Sequence, residues 1–550
     1  MRRTRSLLAS FVAATAVLLT ACGGAAEPEL AASGGEPRPG GVVTIALPSY
    51  PAEGLNPHIR GALGFTHVMR NVYDSLVSID FDQDFHPWLA ESWEISPDGL
   101  RYTFQLRDDV TFTDGERFDA QAVKTNFDLV IDGEYAPGVK SSTFSNLQEV
   151  NVLSDFEVEL VLDRPRSSFL HTLSSLQGAI VSPKGLAGPE RDSGGTSLAG
   201  TGPFVLTEIV PDQQLRFVRN DDYNSPPVGT AQHEGPAHLD ELVLTYLPEP
   251  AVRVGALTSG QVDAVSAVPI SDVELFDGVD GFDYEYRLSN TQPVSLFFNV
   301  TSGPTQDLAV RRALREGFDA DALLDAVYLG LAQRQWASVP AGSKYYDPKF
   351  EGSYGGDAEL GNRLLDEAGW TGPRTADGIR TKDGEPLKVR YIGSPPTDRQ
   401  DVLLQAIQAE WKKNLGVDLE LQFRDEGTVD TIREANGYEI FAREIGGIDP
   451  GEVIEKTYQT GAAMNTVQLS DPAVDDLLLE IRAAGTDEDR KRLLTQLQDY
   501  AITEQALTHP LYYSRHSYAA SSRVQNLATA FDPPRGYSYG YAYDLWLDQE

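Results

Sequence analysis

The chain has a single cysteine, Cys22, in 550 residues, so it can form neither an intramolecular disulfide nor a zinc cage of thiolates. Basic residues are also scarce. Forty-five Lys and Arg stand against 82 Asp and Glu, a formal net charge of −37. Removal of Arg2, Arg3 and Arg5 with an N-terminal leader takes the balance to −40. A surface of that sign repels nucleic acid and anionic lipid headgroups, and no Lys/Arg cluster offers an exception, so nucleic acid is excluded as a partner. No apolar run beyond the leader approaches the roughly 20 residues that a membrane span needs.

Catalytic signatures are missing too. The eight histidines are scattered at 58, 67, 86, 171, 233, 238, 509 and 516. In "HEGPAH" (233–238) the histidines are five apart around a Gly-Pro, so they cannot share a helical face as a zinc motif requires, and a surface loop is expected. There is no G-x-S-x-G elbow, no Walker A loop and no dinucleotide fingerprint. In "DFDQDFHPWLAE" (80–91), acids fall at positions 1, 3, 5 and 12 of a calcium loop. Phe85 stands where such a loop needs glycine, so an acidic hairpin turn is the reading. No enzyme, cofactor or resident metal is expected.

What is present begins at the N-terminus. Met1-Arg2-Arg3-Thr4-Arg5 and an uncharged run from Leu7 to Leu19 form the basic and apolar regions of an export signal. Leu19-Thr20-Ala21-Cys22 resembles a bacterial lipobox, which implies cleavage before Cys22, lipidation of its sulfur and attachment to the cell membrane. The alternative is an ordinary secretory signal with a chance cysteine. Residues 23–41, "GGAAEPELAASGGEPRPGG", contain almost no bulky apolar side chain and are expected to be a flexible tether.

About 510 residues remain after the tether, more than one core usually supports, so at least two lobes are expected. Strands are expected at 41–48, 100–107, 156–163 and 417–423, and helices at 322–332, 359–369, 401–416 and 488–506. Asp119 and Asp449 read as helix N-caps, the latter followed by Pro450 at N1 and Glu452 at N3. An α/β protein with several sheets follows from this alternation.

Several segments resemble, in order, the extracytoplasmic solute-binding proteins of family 5, the peptide- and nickel-type receptors of ABC importers. They include "VYDSLVSID" (72–80), "HPWLAESWEISPDGLRYTFQLRDDVTFTDGERFDAQAVKTNF" (86–127), "GTGPFVL" (200–206), "ALTSGQVDAV" (256–265), "LFFNVTSGPTQDLAVRRALREGFD" (296–319), "LLDEAGW" (364–370), "IDPGEVIE" (448–455) and "DPAVDDLLLEIRAAGTDEDRKRLLTQLQDYA" (471–501). The resemblance implies an α/β, two-lobed fold with hinge strands and an extra third domain. It implies a monomer that closes on a peptide or peptide-like solute, with importer permease and ATPase subunits as partners. A non-peptide solute (an oligosaccharide, an opine-like compound or a metal chelate) and an envelope ligand sensor are the alternatives.

The domains are expected as signal 1–21, lipidated tether 22–41, lobe I at 42–84, 196–288 and 508–550, extra domain 85–195, and lobe III at 289–507. The crossings are expected near 286–296 and 509–514. In the family's peptide-binding members, a tryptophan and an aspartate before the D-P helix line the site, and the aspartate pairs with the peptide ammonium. Here those positions are Arg443 and Gly446. Glu444 or Asp449 could substitute for the acid; otherwise the ligand lacks a free amino terminus and Arg443 meets a carboxylate or phosphate. A neighbouring acid for Arg443 is the plain structural alternative. The remaining candidates for ligand contact are Ile445, Tyr50, Asn56, Phe298, Asn299, Tyr458, Asn465 and Tyr513, although an asparagine at the place of Asn299 is more often a buried structural amide.

Overall fold

In a computed structural model the described residues are 36–51, 54–58, 64–133, 143–192, 194–395, 399–447, 449–531 and 540–548, with backbone only at 64–67. The leader, Cys22 and most of the tether lie outside them. The tether's last residues are docked: Gly40 N–H donates to the His238 carbonyl at 2.7 Å and Gly41 N–H to Asp240 at 3.0 Å. No helix among the described residues is long and apolar enough to cross a membrane.

Two mixed sheets organise the lobes. The first has seven strands in the order 282–288, 515–521, 264–266, 42–47, 241–246, 214–219, 204–210. Val42–Leu47 is parallel to both of its neighbours, and its Val43, Ile45 and Leu47 enter a core with Leu242, Leu244, Phe217 and Tyr518. The second has five strands in the order 418–423, 388–393, 440–445, 292–298, 508–512. Its two faces are buried separately, one around Leu296, Phe298, Tyr391 and Trp411, the other around Phe297, Ile445, Ile454 and Tyr458.

The extra domain is a four-stranded antiparallel sheet (90–95, 101–106, 157–162, 147–154) closed by the helix Ala120–Asp132. Alternation puts Tyr102, Phe104 and Leu106 on the buried face, and Val158, Leu160 and Leu162 opposite them. Asp119 caps the helix by accepting from Ala122 N–H at 2.9 Å. The domain's bounds differ from those expected. Leu76 and Val77 already belong to its core, while Leu176, Ala179, Val181 and Leu186 pack into the first lobe.

The long segment 400–415 starts as an α-helix and widens into a π turn over Trp411–Leu415 before Gly416, whose φ of +70° ends it. The segment from 487 does the same over Asp499–Glu504. There Arg311, Arg312 and Arg315 of the helix Leu308–Glu316 donate to the carbonyls of Gln505, Glu504 and Ile502, groups that a helix end leaves without partners.

The acidic stretch 80–84 turns a hairpin between Val77–Ile79 and Phe85–Pro87. "HEGPAH" is not helical. His233 stacks on His238 at 4.0 Å and on Tyr543 at 4.2 Å, with Nδ1 2.8 Å from Asp544. Among the described residues no cluster of three or more His, Cys, Asp or Glu could hold a metal ion.

Candidate functional site

Two short crossings join the sheets: Ser289–Thr291 between strands 282–288 and 292–298, and Tyr513–Ser514 between strands 508–512 and 515–521. Thr508–Tyr512 thus lies in the five-stranded sheet, and the return to the first lobe comes after it rather than at 508. Ser289 N–H donates to the Ser514 carbonyl at 2.9 Å, which ties the crossings together. The parallel strands ending at Leu47, Tyr246 and Ser266 point toward them from one side, and those ending at Gly393 and Ile445 from the other. Carboxyl ends of such strands are where α/β sheets place ligands.

Glu444 stands at this junction. Its carboxylate accepts from the Ser289 and Thr291 hydroxyls, the latter at 2.6 Å. It also faces His516 on the first-lobe strand; burial lowers that imidazole and Glu444 pushes it back up. Arg515 lies 3.5 Å from the centre of the Tyr286 ring and donates to the Tyr284 hydroxyl at 3.2 Å. Tyr50, after the first strand, sets its ring edge-on to Tyr246 at 5.1 Å and is half-buried at the carboxyl end of the first sheet.

Arg443 lies two residues before the end of strand 440–445 and projects on the face of Phe441 and Ile445. It donates to the Met464 carbonyl at 2.8 Å and lies 5.2 Å from the Phe441 ring, and its buried Nε has no partner. Arg433, from the helix Glu426–Glu434, approaches the same ring at 5.8 Å and bonds the adjacent Ala463 carbonyl. Its Nε is also buried without a partner, while Nη1 pairs with Asp430 at 2.9 Å. Burial first, and the Arg433 charge second, bring Arg443 down to about 10. The neighbours of Arg443 are therefore a second cation, Arg433, and the acid Asp430 that Arg433 holds, whose charge acts on Arg443 in the opposite direction.

The other candidates are drawn into the framework. Asp449 caps the helix Pro450–Tyr458, accepting from Glu452 N–H at 2.9 Å, and is fully buried against Arg490 at 2.5 Å. Burial alone would raise its carboxyl; Arg490, with His171, holds it below the ordinary range. It is a capped, neutralised structural acid, not an open anchor.

Phe298 is core, because it alternates with Leu296 on one buried face. Asn299 is the structural amide: it donates to Asn436 at 2.7 Å and to the Tyr438 carbonyl at 2.9 Å, and accepts from Thr301. Asn465 folds the 459–469 loop onto itself through Gln459 and Leu469. Asn56 accepts from His58 N–H and donates to the Arg191 carbonyl.

Tyr458 is buried, with its hydroxyl beside those of Ser338 and Thr508. Tyr513 accepts from Ala341 N–H, pinning the loop beside the crossing. Ile445 is core, and Gly446 is exposed just past the strand end. The structure thus brings Glu444, Ile445, Gly446 and Tyr513 together at the crossings, with Tyr50 at the facing sheet end. Sequence reading missed Ser289, Thr291, His516 and Arg433. The short polar link Ser289-Asn290-Thr291 between two apolar strands was the available signal for the first two.

Comparison with known proteins places these features in a family. The model of bacterial extracellular solute-binding proteins, family 5, matches residues 84–464. The nickel-binding periplasmic protein of Escherichia coli (strain K12) is 30% identical over 470 residues, covering 82% of this chain and 85% of that protein. A putative ABC transporter peptide-binding protein of Brucella ovis is 27% identical over 426 residues, covering 72% of this chain and 74% of its own. The crystal structure of NikA from Brucella suis in complex with Fe(III)-EDTA superposes with a TM-score of 0.80 at 26% identity, covering 92% of this chain and all of that one.

Proposed function

The chain belongs to the bacterial extracellular solute-binding proteins of family 5, and from that premise we propose that it captures a carboxylate-bearing solute between its lobes and presents it to an ABC importer. At family level it is a binding protein of ABC transport, of the nickel-, peptide- and heme-binding kind, and not an enzyme. Hinge closure does the work: a solute that binds the closed arrangement better than the open one shifts the population toward it.

The observation that carries the solute class is the Arg443–Arg433 pair, two neighbouring guanidinium groups with one acid, Asp430, held by Arg433, and each with a buried Nε lacking a partner, in a chain of net charge −37. A guanidinium offers a planar fork matched to a carboxylate, and two of them accept a di- or tricarboxylate or a chelate that carries one. A peptide with a free amino terminus, the first expectation, finds Gly446 at the acid position; Asp449 is consumed by Arg490, and Glu444 is held by the crossing hydroxyls. Relatives named as peptide-binding keep peptides as the second reading.

Calorimetric titration of the Cys22→Ser chain with citrate, nickel–citrate and a tetrapeptide tests this. We expect an acidic probe to bind and Arg443→Met to weaken it at least tenfold. Tetrapeptide binding that is indifferent to Arg443→Met would overturn it.

The same reading keeps the protein extracytoplasmic and held to the cell membrane through Cys22, supported by the leader and lipobox.

A further inference from the structure

The extra domain belongs to the first lobe by packing. Asn126 donates to the Val181 carbonyl at 2.7 Å and Trp88 to the Ser225 carbonyl at 2.8 Å. Yet one of its segments, Arg166–His171, reaches across to the second lobe. Arg166 donates through Nε and Nη2 to Glu452 Oε1, the former at 3.1 Å, and the Ser168 hydroxyl donates to the same oxygen. Ser167 N–H donates to the Arg482 carbonyl at 3.1 Å. His171 Nδ1 lies 3.7 Å from Asp449 Oδ2, and Asp449 in turn holds Arg490.

These groups are not a solvated rim. Arg166 is 7% exposed, His171 5% and Asp449 0%. Burial alone would raise Glu452, and Arg166 beside it brings it below its ordinary value. Burial lowers His171 to about 4, so it stays neutral beside Asp449, Arg490, Glu452 and Lys344, with the Phe85 ring edge-on to it. His171 Nδ1, Asp449 Oδ2 and Arg490 Nε form no ordinary hydrogen bond although all three are buried at this junction. Such groups are tolerated only where surrounding packing dictates their positions.

The lobes are joined covalently at 289–291 and 513–514, so hinge opening parts Arg166 and Ser168 from Glu452 and His171 from Asp449, while Asp449 and Arg490 stay paired within the second lobe. We propose that Arg166–His171 is a clasp that holds the two lobes shut by closing on Glu452 and Asp449, setting how long the closed state lasts without touching the solute. A buried ion pair gains little unless its geometry is right, so the clasp favours one discrete closed arrangement over partly closed ones. Because its net worth is small, the clasp cannot close the lobes alone; the solute supplies the remaining bias. The inference holds whichever solute class is bound.

Disulfide trapping tests it on the whole chain. In the Cys22→Ser background, Ser167→Cys with Arg482→Cys places two thiols where the backbones meet, at the Ser167 N–H to Arg482 carbonyl bond of 3.1 Å, the close backbone approach that a disulfide needs. The rate of cross-linking by oxidised glutathione reports the closed population even when that population is small. We expect the parent pair to cross-link and Glu452→Gln or Arg166→Gln to slow it at least tenfold, with Ser168→Ala slowing it less. Ser168→Ala decides the matter if either charge variant fails to melt cooperatively. No cross-link in the parent, or an unchanged rate in the variants, overturns the proposal.

Discussion

Asp449 and Arg490 meet 41 residues apart in sequence, 2.5 Å from oxygen to nitrogen, with the carboxylate fully buried and the guanidinium 4% exposed. Removing one partner of a buried pair leaves the other as an uncompensated charge, which costs about 3–5 kcal/mol. Asp449→Ala also removes the N-cap of Pro450–Tyr458, worth about 1 kcal/mol more. We expect a clear drop in the thermal unfolding midpoint, checked by differential scanning calorimetry. An Asp449→Ala protein of unchanged stability that had lost only solute affinity would return Asp449 to the list of ligand contacts.

Asp74 gives a stability effect that depends on pH. It is fully buried in the first lobe, where burial raises it to about 7 against the opposing hydrogen bonds from Ser225 and Thr201. An acid whose folded value lies above its unfolded value is held protonated, so its burden on the fold grows as pH rises from about 4 to 7. Asp74→Asn keeps an oxygen for the two hydroxyls and removes the charge. We expect its unfolding midpoint, relative to the parent, to be higher at pH 8 than at pH 5. Equal differences at the two pH values would show that Asp74 is not titrating in the folded protein.

Cys22 is the anchor in this account. Cys22→Ser is expected to move the protein from the membrane pellet to the soluble fraction and to abolish lipid labelling. Retention in the pellet would leave the leader as an ordinary signal or require another attachment.

Much of the framework was legible in the sequence because its causes are local. The strands 101–106 and 157–162 follow from alternation, the caps at Asp119 and Asp449 from one acid before a helical pattern, and the stop at Gly416 from a single residue. The candidate site was less legible because its causes are distant. Asp449 looked available until Arg490 and His171 were placed beside it, and Glu452 meets Arg166 across 286 residues. Phe298 and Tyr458 were readable as core from their alternation with Leu296 and their i, i+4 spacing from Ile454. The Arg433–Arg443 pair joins a helix to the next strand, and a helix–turn–strand reading of 426–445 would have brought the two together.

Native mass spectrometry of the Cys22→Ser chain, purified without denaturation, tests the central claim most directly. The account predicts one discrete added mass belonging to an acidic non-peptide solute or its metal chelate, lost in Arg443→Met. A ladder of added masses matching mixed peptides, retained in Arg443→Met, would contradict it.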